Sequence, residues 1–177
     1  MTTTLDENDY LTFQLYTASK TPRVKKARIR SWILTTLLFL CLAYLFYSSD
    51  NSFVGNLFLI YAGISAAFFP LFTRWRYKKH YLKYIRDTYK NSFNEPCEME
   101  FNADNIVIKD RTGELKVNKS EIAEINEIES YYFLKSNTGL TLILSKTKMD
   151  IETINNQIRT MVANGTKHNI ELNWKWK

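Results

Sequence analysis

A chain of 177 residues with a net charge of +6 and a pI near 9.2 has room for two membrane spans and one small soluble domain, and excludes two large domains. A basic balance raises nucleic-acid binding as a function, but here the Lys and Arg side chains crowd the outer ends of one long apolar region, so the excess is topological and no nucleic acid is expected. Cys41 in the apolar region and Cys97 far beyond it exclude a disulfide framework and agree with a reducing compartment.

Residues 1–30 read as an N-terminal amphipathic helix and a basic segment. Asp6, Glu7 and Asp9 suit the positive end of a helix dipole, and Tyr10, Phe13 and Gln14 share one helical face while Leu11 and Leu15 sit on another, which predicts a short amphipathic helix to about Ser19. Thr21-Pro22 breaks this helix, and residues 23–30 lead into the first apolar run.

Residues 31–73 predict a transmembrane helical hairpin, with spans at 31–49 and 53–72. Neither 32–47 nor 53–72 contains a charged side chain, and Asp50 alone marks the link. A helix needs roughly 20 apolar residues to cross a hydrocarbon core, and soluble core helices seldom stay apolar on every face for so long. The run begins too far into the chain, and lacks the small-residue cleavage site, for a secretory signal. Lys25, Lys26, Arg28 and Arg30 precede the first span; Arg74, Arg76, Lys78 and Lys79 follow the second. These cations, with Trp32, Trp75 and Tyr77, are the expected membrane-interface residues. Their placement predicts a multi-pass inner-membrane protein with both termini cytoplasmic. An anionic-lipid site is the alternative reading of the basic clusters, with a plain orientation signal preferred.

Within the second span Ala62, Gly63, Ala66 and Ala67 offer the small-residue spacing that brings helices close, for packing on the first span or, alternatively, for a homodimer. Pro70 forfeits one backbone hydrogen bond, which interfacial water is expected to replace. Residues 74–93 continue as a juxtamembrane helix with Tyr77, Tyr81, Tyr84 and Ile85 at helical spacing.

Residues 94–177 form the soluble part. Short alternating runs at 97–101, 106–109 and 114–117 are separated by turn residues at 102–105 and 111–113, the pattern of an antiparallel meander. A helical turn at 120–122 precedes three further strands at 124–129, 131–135 and 140–145. Asp150 caps a helix through Ile151, Ile154, Ile158, Met161 and Val162, which Gly165 ends. The predicted core comprises Ile106, Ile108, Leu134, Leu142, Ile154 and Ile158. The tail, 168–177, alternates again and predicts an added edge strand, against a Trp-bearing tail that touches the membrane.

The stretches ENDYLTFQLYTASKTPRVKK, CEMEFNADNIVIKD and KSEIAEINEIESYYFLKSNTGLTLILSKTKM, with the paired spans, give the chain an order of parts that resembles the YcxB-like family of bacterial membrane proteins. The resemblance covers nearly the whole chain. It implies an α+β membrane protein in which a two-helix hairpin precedes a pleckstrin-homology-like curved antiparallel sheet with a C-terminal capping helix. The chain departs from the family at Val117 and Asn118, where a Trp is common, and in the strand after the closing helix. The resemblance implies no activity, substrate or catalytic residue.

Signals of chemistry are sparse. His80 and His168 have no Cys or carboxylate at ligand spacing, and phosphate-loop, nucleophile-elbow and zinc-helix motifs are missing from the sequence. Glu98/Glu100 and Glu124/Glu127 have the spacing of solvated strand faces. The expectation is therefore a non-enzyme without cofactor or metal: a membrane-anchored binding or scaffold module engaging a protein partner through a sheet edge. A lipid-headgroup sensor, or an accessory subunit of a membrane enzyme or transporter, is the alternative.

Overall fold

A computed structural model describes residues 1–176, apart from the side chain of Asn91. The fold is α+β. Strand β1 (Thr2–Thr4) precedes three helices, α1 (Glu7–Lys20), α2 (Pro22–Ser48) and α3 (Ser52–Tyr89). Strands β2 (Pro96–Phe101), β3 (Asn105–Asp110), β4 (Gly113–Asn118), β5 (Ile122–Glu127), β6 (Tyr131–Ser136) and β7 (Thr141–Ser145) follow, then α4 (Ile151–Ala163) and β8 (Lys167–Ile170). The chain divides into two compact units, residues 1–13 with 84–175 and residues 14–83 with Trp176, and the divisions fall within α1 and α3.

In the helical unit, α2 starts at Pro22, where a fixed φ and a missing N–H cost nothing, and runs through the basic segment without interruption. Asp50, at φ 55°, reverses the chain in the left-handed conformation that Asp tolerates. Ala43 and Ala62 are buried, and the Phe46 and Phe58 rings stack 5.3 Å apart. Gly55 is the residue that permits the close approach: a Cβ there would meet the Tyr47 ring at 3.0 Å. Gly63 faces open space and Ala67 is exposed, so of the four predicted packing residues these two do not pack on α2 within the chain. Small size marks where helices can approach, and the rotational phase of α3 decides which small residues are used.

In the sheet unit the strands form two four-stranded sheets, ordered β1-β2-β3-β4 and β7-β6-β5-β8, where the sequence predicts one curved sheet. The break falls at the 3-10 turn Lys119–Glu121, which separates β4 from β5 in place of a hairpin. All pairings are antiparallel except β5 with β8, because the chain reaches β8 from α4 and not by a hairpin. The tail strand ends at Ile170, the Glu171 N–H still donates to the Glu127 carbonyl at 2.8 Å, and residues 172–176 run on outside any strand; residue 177 lies outside the described residues.

The amphipathic helix α4 covers this core. Asp150 accepts a hydrogen bond from the Glu152 backbone N–H, and Gly165, at φ 96°, stops the helix as Thr166 N–H donates to the Met161 carbonyl. Ile154, Ile158 and Met161 are buried beside Ile106, Ile125, Leu134 and Leu144, and Ile108 packs at the margin. The end of α3 contributes Ile85, which is fully buried; Tyr89 stacks on Tyr10 at 4.7 Å, and Arg86 forms a forked ion pair with Glu7 at 2.9 and 3.0 Å.

Candidate functional site

The apolar stretches of α2 and α3 are surface, not core. Across the most apolar window of each helix, 6% of α2 and 11% of α3 is buried. Leu34, Leu38, Tyr44, Phe53, Ile60 and Phe68 all project outward. Both helices are long and apolar enough to cross a membrane. A core helix of a soluble protein would bury most of such a stretch, and contiguous apolar patches of this kind mark an interaction surface.

At the basic ends of these helices the predicted interface residues separate into two groups. Lys25, Lys26, Arg30, Arg74, Arg76 and Lys78 are exposed, and Lys79 lies over the exposed Trp75 ring at 5.2 Å, one helical turn away. Arg28 is half-buried, with its guanidinium 5.0 Å from the Trp176 ring and 5.9 Å from the Tyr77 ring. Trp176 is itself buried, and its indole N–H donates to the Arg74 carbonyl at 3.3 Å. The tail thus ends in a Trp docked on the helical unit, a contact that two-residue alternation did not reveal because Trp174 and Trp176 mimic strand periodicity.

Trp32 has a defined task. Pro70 lacks an N–H, so the Ala66 carbonyl has no donor at the usual position four residues ahead. The Trp32 indole N–H reaches across from α2 and donates to that carbonyl at 3.2 Å. The bond expected from interfacial water comes instead from the neighbouring helix.

Two polar clusters in the sheet unit escaped the sequence reading. Asp9 is 1% exposed and accepts hydrogen bonds from the Tyr131 hydroxyl, the Lys148 ammonium and the Asp6 backbone N–H, each at 2.6 Å. Lys148 also donates to Asp6 at 2.6 Å, and this hydrogen bond leads the effects that hold the Asp6 carboxyl below the usual range. Burial, seconded by Asp9, raises the Tyr131 hydroxyl above its ordinary value. For Lys148, burial opposes the charge, but the two carboxylates outweigh it and its pKa is raised.

The second cluster gathers Glu127, Lys146, His168 and Tyr132. Glu127 lies 2.7 Å from Lys146 and 2.9 Å from the His168 Nε2, and Lys146 stands 4.4 Å over the Tyr132 ring. Burial alone would raise the Glu127 carboxyl; hydrogen bonds from Lys146 and Tyr132 and the charge of Lys146 overcome it and leave the pKa lowered. Burial and Glu127 push Tyr132 up to about 12. Both clusters join distant segments through charged hydrogen bonds, Lys148 to Asp6 and Asp9 and Lys146 to Glu127, while the His168 Nε2 is buried beside Glu127 without a hydrogen bond. Among the described residues no group of three or more His, Cys, Asp or Glu side chains is placed to hold a metal ion. His80 contacts the Tyr81 ring on the same helix.

Comparison with protein-family models, with characterised proteins and with solved structures finds no match.

Proposed function

We propose that the protein is an integral membrane protein of the YcxB-like type, whose α2–α3 hairpin anchors a non-catalytic, pleckstrin-homology-like binding module at the cytoplasmic face of the inner membrane. The observation that carries this reading is the outward-facing apolar surface of α2 and α3, flanked by cations only at the ends away from Asp50. Burial of each large side chain in lipid is worth about 1.5–3 kcal/mol, so a dozen of them make hydrocarbon the favoured environment by a wide margin.

A protein partner suits the sheet unit better than a substrate does. Strand β4 is an edge of its sheet, and all of it except Val117 is exposed, including Leu115. An edge strand offers unpaired backbone groups to an incoming strand. In the two polar clusters, by contrast, the Lys148 and Lys146 ammonium groups are engaged with carboxylates and the raised Tyr131 and Tyr132 hydroxyls stay protonated, which suits holding segments together better than attack on a substrate.

Alkaline carbonate extraction and reporter fusions test the anchor. Carbonate-resistant protein, a cytoplasm-active reporter working at the C-terminus and a periplasm-active reporter working at Asp50 are the expected results. Release by carbonate would refute anchoring, and the inverse reporter pattern would refute the orientation.

A further inference from the structure

Between α4 and the strands β5, β6 and β8 lies a cavity of about 460 Å³, a volume within the range of small-molecule sites. We infer that it binds a small organic carboxylate, whose oxygens are held by Arg159 and Asn155 and whose short aliphatic body lies against Ile158 and Val162. The site depends neither on the membrane anchor nor on the β4 edge.

The two donors are neighbours. Arg159 and Asn155 both line the cavity and stand four residues apart on α4, which brings their side chains together on the helix surface. Arg159 is exposed and, among the described residues, has no ion pair or hydrogen bond. Its charge opposes the rise that burial and Glu127 impose on the Tyr132 hydroxyl, so the guanidinium lies within electrostatic reach of the inner wall. Asn155 accepts a hydrogen bond from that hydroxyl at 2.8 Å through Oδ1, which orients the amide and leaves its two N–H donors unused. A guanidinium fork matches the two oxygens of a carboxylate, and an oriented amide adds a donor that loses little freedom on binding.

The balance of charge selects the same class of ligand. Glu127 is the one acidic residue lining the cavity, and the Lys146 ammonium donates to it at 2.7 Å. Arg159 is therefore the carrier of uncompensated positive charge. One cation matches the single charge of a carboxylate better than the nearly double charge of a phosphate monoester. The lining also grades from polar to apolar. Ile158 is buried, Val162 packs at the margin of the core, and at 1.5 Å of rise per residue Val162 stands about 5 Å along the axis from Arg159. That spacing suits a branched body of a few carbons.

The full chain in mild detergent, titrated with isocaproate and with its uncharged isostere isocaproamide under ligand-observed NMR, provides the test. The acid should bind about tenfold more tightly than the amide, because a charge-assisted contact outweighs a neutral one. Arg159→Gln should abolish that preference, whereas Arg111→Gln, which removes the same charge from an exposed position outside the cavity, should preserve it. Arg159→Lys keeps the charge without the fork and should give an intermediate preference. Asn155→Asp still accepts from Tyr132 but replaces two donors with a negative charge, and should abolish the preference with the hydroxyl bond intact. Equal loss in Arg159→Gln and Arg111→Gln, or equal binding of acid and amide by the wild type, would overturn the site. Displacement of isocaproate by equimolar inorganic phosphate would overturn the choice of a carboxylate. Acetyl-alanyl-leucine carries the same group at a chain end: tighter binding than isocaproate would support the end of a peptide as the source, and weaker binding a free acid.

Discussion

Lys148 holds two carboxylates from the start of the chain, and its removal exposes the cost of burying one of them. Asp9 keeps only the Tyr131 hydroxyl and the Asp6 N–H in a Lys148→Met variant, so its buried charge loses its counterion. Breaking such a pair typically costs about 3–5 kcal/mol, and the partial exposure of Lys148 brings the expectation to about 2 kcal/mol. Chemical denaturation of the full protein in detergent should show this loss. The pH dependence follows from the directions of the shifts. The lowered Asp6 carboxyl stabilises the fold above its unfolded value near 3.8, and this contribution disappears as pH falls through the still lower folded value. The raised Lys148 contributes fully below its unfolded value near 10.5 and is lost as pH rises through the folded one. Tyr131, also raised, adds to the alkaline loss. Melting temperature should therefore fall below pH 3.8 and above about pH 10, and Lys148→Met should flatten both arms. Unchanged arms in that variant would refute the assignment of these shifts to the cluster.

The hairpin helices are held at their basic end by a hydrogen bond that exists because one helix contains a proline. Trp32→Phe preserves an aromatic ring but leaves the Ala66 carbonyl without its donor, a loss of about 1–3 kcal/mol in an apolar setting. Pro70→Ala restores the backbone donor within α3, so the same Trp32 substitution should cost markedly less in that background. A double-mutant cycle read by unfolding in detergent should therefore show coupling between two residues on different helices. Additive costs would show that the indole bond contributes nothing. At this scale much was legible from the sequence: α1 through α4 and strands β2 to β7 follow from local periodicity, capping residues and turns, which need only neighbouring positions. Strand β1, three consecutive threonines, carries no alternation and exists because β2 pairs with it. The break into two sheets and the parallel placement of β8 likewise depend on distant pairing.

For the whole molecule, the contacts hidden from sequence reading are those that join its far parts: Asp9 with Lys148 across 139 positions, and Trp176 with Arg74 across 102. Nothing in the local composition of 146–149 distinguishes Lys148 from Lys146. The apolar hairpin needed no such pairing to be seen, and its environment decides the chemistry of a natural probe. Cys41 is exposed on α2, whereas Cys97 is half-buried with its thiol raised above 9.0, by burial first and then by Asp110. In water Cys41 would be the more reactive of the two, because it is accessible and nothing opposes its approach by a reagent. In a bilayer it faces hydrocarbon, where a charged maleimide does not partition. Sealed membrane vesicles carrying the wild-type protein should therefore leave Cys41 unlabelled until detergent is added. A Cys41→Ser, Cys97→Ser chain carrying Asp50→Cys should label from the outer side alone, since the link between α2 and α3 carries no Lys or Arg to hold it inside. Rapid labelling of Cys41 in intact vesicles from either side would place α2 in water and refute the membrane hairpin.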